Sequence, residues 1–439
     1  MASTIFALSS APGRAGVAVI RLSGPAAGSA LSALTGRPLP PARQATLAAL
    51  VDPRSDDLLD RALVLHFPGP ASFTGEDVVE LHVHGGRAVV DSVFDALAAM
   101  PGLRPAEPGE FTRRAFENGK LDLTEAEGIA DLVDAETRAQ QRQALRQMDG
   151  ALGRLYDGWR DRLSRALAHI EADLDFPDED LPEGVAEQVR PELALLIAEI
   201  GRHLDDNRRG ERLRSGVQIA ILGPPNAGKS SLLNALARRD AAIVSERAGT
   251  TRDVIEVHLD LGGYPVIVAD TAGLRRASDE IEDEGIRRAR ARAEQADVKI
   301  LLFDALDWPE LDPEVTGLAD GDSLTVLNKV DLRPDLDLPE GFIGVSVRTG
   351  EGMGGLLGRL EELVADRLGG SGAPSLTRLR HRQALEECRE ALLRAEGAPL
   401  PELVAEDVRL ALRALGRITG KVDVEDLLDI VFRDFCIGK

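Results

Sequence analysis

The chain has 439 residues, long enough for about three domains. Its formal net charge of −22 provides no global field to draw it to RNA, DNA or anionic lipid. Aromatic residues make up only 3%, too few for a base-stacking RNA surface, and no stretch approaches the ~20 apolar residues of a membrane span.

The first residues, Met-Ala-Ser-Thr-Ile-Phe-Ala-Leu, lack the basic start and long apolar core of a signal peptide. With only two cysteines, Cys388 and Cys436, there is no disulfide framework, and a reducing, cytoplasmic setting is expected. Residues 1–117 read as a compact α+β domain. Strand-like content occurs at 17–22, 62–67 and 77–84, and helix-like segments at 26–34 and 87–100. Within it, Phe67-Pro68-Gly69-Pro70-Ala71-Ser72-Phe73-Thr74-Gly75-Glu76-Asp77 is loop chemistry dense enough for a site. His82 and His84 share one face of a strand, but two ligands fall short of a metal site, which leaves a structural or ligand-lining role.

From 121 to 214 the pattern turns helical. Ala126, Ile129, Ala130, Val133 and Ala135 mark one amphipathic stripe, and Leu155, Leu163, Leu167 and Ile170 another. Arg138, Arg142 and Arg146 recur every four residues, which predicts a basic, solvated helix face. The acidic run 173–183 reads as a solvated connection between helices.

Residues 217–230 then read Val-Gln-Ile-Ala-Ile-Leu, apolar enough for a buried parallel strand, followed by Gly-Pro-Pro-Asn-Ala-Gly-Lys-Ser. The last eight match G-x-x-x-x-G-K-[ST] in full. Gly223 and Gly228 let the backbone curl so that the N–H groups of Asn226, Ala227, Gly228 and the helix start at Ser231 face phosphates. Lys229 is expected to reach the β- and γ-phosphates, and Ser230 to ligate Mg²⁺. Gly249-Thr250-Thr251-Arg252-Asp253 is a candidate switch loop in which a threonine completes the Mg²⁺ shell. In Asp270-Thr271-Ala272-Gly273 the carboxylate can hold Mg²⁺ through water, and the Gly273 N–H can sense the γ-phosphate.

The base is read further on. Asn328-Lys329-Val330-Asp331 places one carboxylate, that of Asp331, where it can accept both adjacent donors of guanine. Adenine lacks that pair, and a site built for such bonds rejects the analogue without them. Ser346-Val347-Arg348-Thr349-Gly350 fits the loop that closes over the base. These elements define a GTP-binding domain over 215–370. Helical patterning before and after it suggests one helical domain, 118–214 plus 371–439, interrupted by the GTPase. The G-x-G-x-x-G match at 350–355 follows the base-closing loop and implies no second nucleotide site. The terminal Cys-Ile-Gly-Lys departs from a prenylation box.

Hydrolysis is left open by these motifs. The position after D-x-x-G, where a glutamine orients water in related hydrolases, is Leu274. Either hydrolysis is slow, or a polar group comes from Asp279, Glu280, Glu282, Asp283 or Glu284. Arg252, Arg275 and Arg276 lie nearby, and the Asn226 side-chain carbonyl suits a monovalent cation in place of an arginine.

Over its whole length the sequence resembles the MnmE (TrmE) family of tRNA modification GTPases. The resemblance is carried by Pro12-Gly13-Arg14, Arg21-Leu22-Ser23-Gly24, Phe73-Thr74-Gly75-Glu76-Asp77, Pro108-Gly109-Glu110-Phe111 and Lys120-Leu121-Asp122-Leu123. It continues through Asp175-Phe176-Pro177-Asp178, the GTPase elements and the terminal Phe435-Cys436-Ile437-Gly438-Lys439. It implies an α/β P-loop GTPase domain inserted into an all-α helical domain, behind an α+β folate-binding-like N-terminal domain that builds a homodimer. That domain would hold 5-formyl-tetrahydrofolate or a related reduced folate through Arg21, Glu80, Lys120 and Lys439. The implied partner is a flavoprotein of MnmG type carrying FAD, and the reaction is installation of an aminomethyl-type group on C5 of wobble uridine in tRNA. K⁺ would be bound by Asn226 and Thr250 with backbone near Ser245 and Arg247, Mg²⁺ by Ser230 and Thr251, and Glu282 would position the attacking water.

Two departures are mild: Ser245 stands where threonine is frequent, and Val347 replaces a small residue where the contact is a backbone N–H. Cys436 is either a nucleophile for one-carbon chemistry or a packing residue. One rival, a ribosome-assembly GTPase binding rRNA, usually carries a basic RNA-binding module, a composition absent from this chain. A folate-dependent enzyme with a regulatory GTPase is a second rival. With so acidic a chain, tRNA is expected to be held mainly by the partner.

Overall fold

The computed structural model describes residues 3–175, 185–239, 242–243, 256–270, 296–369, 374–422, 425–433, 435 and 437–438. The chain forms two compact units: Met1–Ala130 with Met148–Val189 and Arg394–Lys439, and Asp131–Gln147 with Arg190–Leu393.

The first unit is built on a six-stranded sheet of order β3-β4-β5-β2-β1-β6. Its strands are β1 Thr4–Leu8, β2 Ala15–Ser23, β3 Thr46–Val51, β4 Leu58–Phe67, β5 Val78–Gly85 and β6 Leu103–Pro105. All neighbours run antiparallel except β1 and β6. The runs read from sequence at 17–22, 62–67 and 77–84 fall in β2, β4 and β5. Helices Ala27–Thr35 and Arg87–Ala98 give their apolar stripes to one face of the sheet. There Leu31, Leu34, Val93 and Leu97 meet Ile20, Leu22, Val64 and Leu81. On the other side Ile5 and Ala7 pack with Ala106, Phe111 and Phe73.

The long helix of this unit departs from expectation in two ways. The buried stripe of helix Ala151–Asp175 is Leu152, Tyr156, Trp159, Leu163, Ala166 and Ile170, whereas the expected Leu155 and Leu167 are only half-buried. Tyr156 and Trp159, 5.7 Å apart between ring centroids, carry the apolar bulk that outcompetes the leucines for the interior. This helix also runs through Asp173, Leu174 and Asp175, so these three residues are helical and not part of the expected connection. It lies antiparallel to helix Pro401–Thr419, joined by Arg409–Glu171 (2.7 Å) and, beyond that helix, Lys421–Asp157 (2.6 Å).

The second unit carries a sheet of order β12-β11-β10-β7-β9-β8. These are β7 Val217–Leu222, β8 Glu256–Leu261, β9 Tyr264–Asp270, β10 Val298–Asp304, β11 Ser323–Asn328 and β12 Phe342–Val345. Among the described strand pairs, β8–β9 is antiparallel and the others are parallel. The buried residues of β7, β9 and β10 interlock with Leu232, Leu233 and Leu236 of helix Lys229–Ala237. Leu356, Leu360 and Val364 of helix Met353–Leu368 join them. A parallel sheet of this kind collects its loops at the carboxyl ends of the strands, where ligands bind.

Two smaller expectations also meet the structure. Arg138, Arg142 and Arg146 share helix Arg138–Met148 and are all exposed, as a solvated face requires. Helix Leu123–Asp134 buries Ala126 but leaves Val133 44% exposed and ends before Ala135, so the first predicted stripe is shorter than the sequence suggested.

Candidate nucleotide and folate sites

In the second unit the nucleotide motifs converge by strand order alone. β7 ends at Leu222 and hands the chain to the P-loop. β9 pairs with β7 so that Asp270 stands opposite Ile221 at the same edge. β11 brings Asn328 opposite Asp304 of β10 and Val345 of β12.

The P-loop backbone takes left-handed φ at Asn226 (65°) and Gly228 (101°), which turns N–H groups inward before the helix starts at Lys229. A Cβ on Gly228 would lie 2.3 Å from the Asn328 side-chain nitrogen, so glycine is required by both conformation and space. The Lys229 ammonium donates to the carbonyls of Gly223 (2.7 Å) and Pro224 (2.8 Å), which holds it along the loop. Ser230 and Ser231 are exposed in the first helical turn, and Ala227 is buried.

Asn328, 3% exposed, links two of the motif loops. Its amide donates to the Ala227 carbonyl (2.9 Å), and its oxygen accepts from the Val347 N–H (3.2 Å), tying the P-loop to the base-closing loop. Ser346 is fully buried, and its N–H donates to the Glu351 carbonyl (2.9 Å). The Asp331 carboxyl lies below the usual carboxylate range, first because of the Ser346 hydroxyl and then because of Arg348, which reaches Oδ2 at 2.8 Å. Lys329, at φ 65°, pairs with Asp304. Sequence reasoning missed Asp304, which belongs to no contiguous motif, and the ionic role of Arg348, whose partner Asp331 lies in a different motif.

In the first unit, Arg21 of β2 stands opposite Glu80 of β5 and donates to its Oε1 from Nε (3.1 Å) and Nη2 (2.9 Å). The guanidinium lies 5.6 Å from the Phe73 ring centroid and 5.9 Å from that of Phe111. His82 approaches Glu80 at 3.3 Å, and His84 pairs with Asp60 at 2.8 Å, so each histidine has its own carboxylate. The Lys120 ammonium donates to the Pro70 carbonyl (3.0 Å), bringing it onto the loop between β4 and β5.

The chain's end lies against this sheet. Ile437 bridges Pro108, and the Gly438 carbonyl accepts from the Ser9 hydroxyl (3.0 Å) just beyond β1. Gly438 has φ 99°, and a Cβ there would lie 2.1 Å from the Leu8 carbonyl. Buried Cys388 in helix Leu379–Gly397 has its thiol pushed up to about 12 by desolvation, which disfavours the reactive thiolate.

Ser245, Arg247, Thr250, Thr251, Gly273, Leu274, Glu282, Cys436 and Lys439 lie outside the described residues. So do the acidic candidates Asp279, Glu280, Asp283 and Glu284, the arginines 252, 275 and 276, and the acidic run from 176 to 183.

A family model described as GTP-binding protein TrmE N-terminus matches residues 4–120, and one described as MnmE helical domain matches 123–436. The chain is 59% identical over 446 residues to the tRNA modification GTPase MnmE of Parvibaculum lavamentivorans, covering 99% of this chain and 100% of that protein. It is also 59% identical over 455 residues to the protein of the same name in Rhodospirillum rubrum, covering 99% of each. Against a human protein named 5-taurinomethyluridine-[tRNA] synthase subunit GTPB3, mitochondrial, identity is 53% over 460 residues, with 100% of this chain and 93% of that one covered.

Proposed function

The chain belongs to the MnmE (TrmE) family of tRNA modification GTPases, and on that premise we propose that it is the GTP-hydrolysing subunit of a complex that modifies C5 of the wobble uridine, U34. The group added is of aminomethyl or carboxymethylaminomethyl type, with a formyl-tetrahydrofolate-type donor and an MnmG-type FAD protein as partner. The observation that carries the reading is Asn328, buried between Ala227 of the P-loop and Val347 of the base-closing loop. That bond pattern makes phosphate cradle and guanine reader a single rigid corner. The human relative's name, a synthase subunit for a 5-substituted uridine in tRNA, supports extending the reading to uridine C5.

In this reading 1–117 is the dimerisation and folate domain, 118–214 with 371–439 the helical domain, and 215–370 the GTPase domain. Ala227, Gly228 and Ser231 offer N–H groups to the phosphates, joined by Lys229 and the Gly273 N–H. Ser230 and Thr251 hold Mg²⁺, with Asp270 behind a water. Asn226 and Thr250, with backbone at Ser245 and Arg247, hold K⁺. The exposed hydroxyl of Ser230 and the left-handed Asn226 at the loop's lip suit those roles. The cations neutralise charge that develops on the phosphates. Glu282 orients the water, Asn328, Lys329 and Asp331 bind the base, and Ser346 shapes the loop over it. Arg21, Glu80, Lys120 and Lys439 bind the folate, and Cys436 is the candidate for one-carbon chemistry.

A homodimer through the first domain is supported by Leu47 and Leu63, opposite each other across β3–β4 and 65% and 45% exposed. The three exposed arginines of helix Arg138–Met148 offer only about three phosphate contacts, a log–log salt slope near −2 on the single-strand relation. The partner therefore supplies most of the tRNA surface.

Two experiments test the reading. Hydrolysis should run without an activating protein and faster in K⁺ than in Na⁺. Glu282→Ala should slow it by about 10²–10⁴-fold, the share of one positioned acid–base group, while GTP affinity stays near wild type. Equal turnover in both salts removes the K⁺ assignment. Deleting the gene should remove the wobble-uridine modification from bulk tRNA in nucleoside mass spectrometry, and an unchanged nucleoside profile rejects the proposed function.

A further inference from the structure

Arg114 of helix Glu110–Glu117 is 11% exposed and lies between two carboxylates from different elements. Its Nη1 donates to Glu76 Oε2 at 2.9 Å, on the loop that joins β4 to β5, and its Nη2 donates to Glu110 Oε1 at 3.0 Å, on its own helix. A weaker bond runs from Nη1 to the Ser23 carbonyl at 3.4 Å. Glu76 also accepts from the Ser23 hydroxyl (2.7 Å), and Ser23 in turn meets the Thr74 hydroxyl at 2.7 Å. Because the one Ser23 proton goes to Glu76, Thr74 is the donor in that pair. Glu110 is held further by Arg104 (2.8 Å) and by the Glu107 N–H (3.0 Å). Burial pushes the Glu110 carboxyl up, but those bonds outweigh it and keep the carboxyl below its ordinary value.

The two elements that Arg114 joins are the two that flank Arg21. The loop supplies Phe73 and the helix supplies Phe111, the rings on which the Arg21 guanidinium rests. Lys120 donates to Pro70 in the same loop, and Asn118 to the Thr74 carbonyl (2.7 Å). A planar guanidinium can span two carboxylates in fixed directions, which a lysine ammonium cannot reproduce. Without it the two half-buried carboxylates would lose the cation they share.

We propose that Arg114 is a positioning residue: its fork fastens residues 68–77 to helix Glu110–Glu117 and so fixes the aromatic slot in which Arg21 meets the reduced folate. This deepens the folate reading and rests on it. Arg114 itself does not touch the ligand. The slot is set before binding, so affinity depends on a contact made behind the site.

The test uses the full-length protein with Arg114→Lys, which keeps the charge and loses the fork, and with Glu76→Gln, which weakens the same bond from the loop side. Hydrogen exchange reads the backbone amides of residues 71–77, calorimetry reads 5-formyl-tetrahydrofolate affinity, and GTP turnover and melting temperature report the fold. Expected in both variants is faster loop exchange and an affinity loss of about tenfold, the scale of one charge-assisted hydrogen bond, with turnover and melting temperature at wild-type values. A folded Arg114→Lys with unchanged loop protection and unchanged affinity overturns the proposal. So does a fall in melting temperature with no selective loss of loop protection, because Arg114 would then be a packing residue only. If the wild-type protein shows no folate affinity, the folate reading fails, and loop exchange alone still decides whether the fork fastens the loop.

Discussion

Gly228→Ala should reduce guanine-nucleotide affinity by about 10²-fold or more while the protein still folds. The backbone there has φ 101°, where an L side chain costs about 1–2 kcal/mol. The added Cβ would also lie 2.3 Å from the Asn328 side-chain nitrogen. That amide is no flexible tip, because it is 3% exposed and bonded at both ends, to Ala227 and Val347. Moving it sacrifices at least one buried hydrogen bond, a further loss of about 1–3 kcal/mol. The P-loop can relieve the clash by relaxing, but the relaxed loop no longer aims its N–H groups at phosphate. Titration with a fluorescent GDP analogue, alongside a thermal melt, checks this. Affinity within about threefold of wild type in a folded variant would show that the corner is not rigid.

What the sequence made legible follows from how local each feature is. The P-loop, the Asn328–Asp331 element and the Asp270 element are contiguous, and each follows an apolar strand, so their chemistry could be read before their geometry. Their convergence could not. That Asn328 reaches back to Ala227 depends on β11 lying two strands from β7, a fact of sheet order rather than of spacing. β10 illustrates a second limit. Its run Val-Lys-Ile-Leu-Leu-Phe-Asp is short with an unbroken apolar centre, and periodicity alone cannot tell such a segment from a buried helix. Helix Ala151–Asp175 illustrates a third: the expected stripe found Leu163 and Ile170 but missed Tyr156 and Trp159, because tyrosine and tryptophan bury their rings while keeping a polar atom. Arg114 gave no signal of its own. In a helix that also carries Arg113 it reads as another surface charge, and only the fold shows that it faces Glu76.

Asp331→Asn should lower GTP affinity by about 10³-fold and raise affinity for xanthosine triphosphate. Guanine presents two adjacent N–H donors, and an ionised carboxylate is acceptor-only, so both can be met by one side chain. Asparagine turns one acceptor into a donor, which opposes a guanine N–H and suits the carbonyl of xanthine. Arg348 takes Oδ2 from the outside, but it is 77% exposed. Arg348→Ala, as a control, should therefore change GTP affinity by no more than about fivefold. The pH dependence has a definite sign. The Ser346 hydroxyl, and after it Arg348, hold the Asp331 carboxyl below its ordinary 3.8, so the charged form that reads guanine persists on acidification. Affinity dependent on this group should stay level from neutral pH to below the usual carboxylate range and fall only as pH passes through the lowered value. Competition binding of GTP and xanthosine triphosphate across a pH series measures both effects. A variant that kept wild-type preference for GTP would remove Asp331 from the base-reading role, and a loss of wild-type affinity already near pH 6 would show that another group carries the proton dependence.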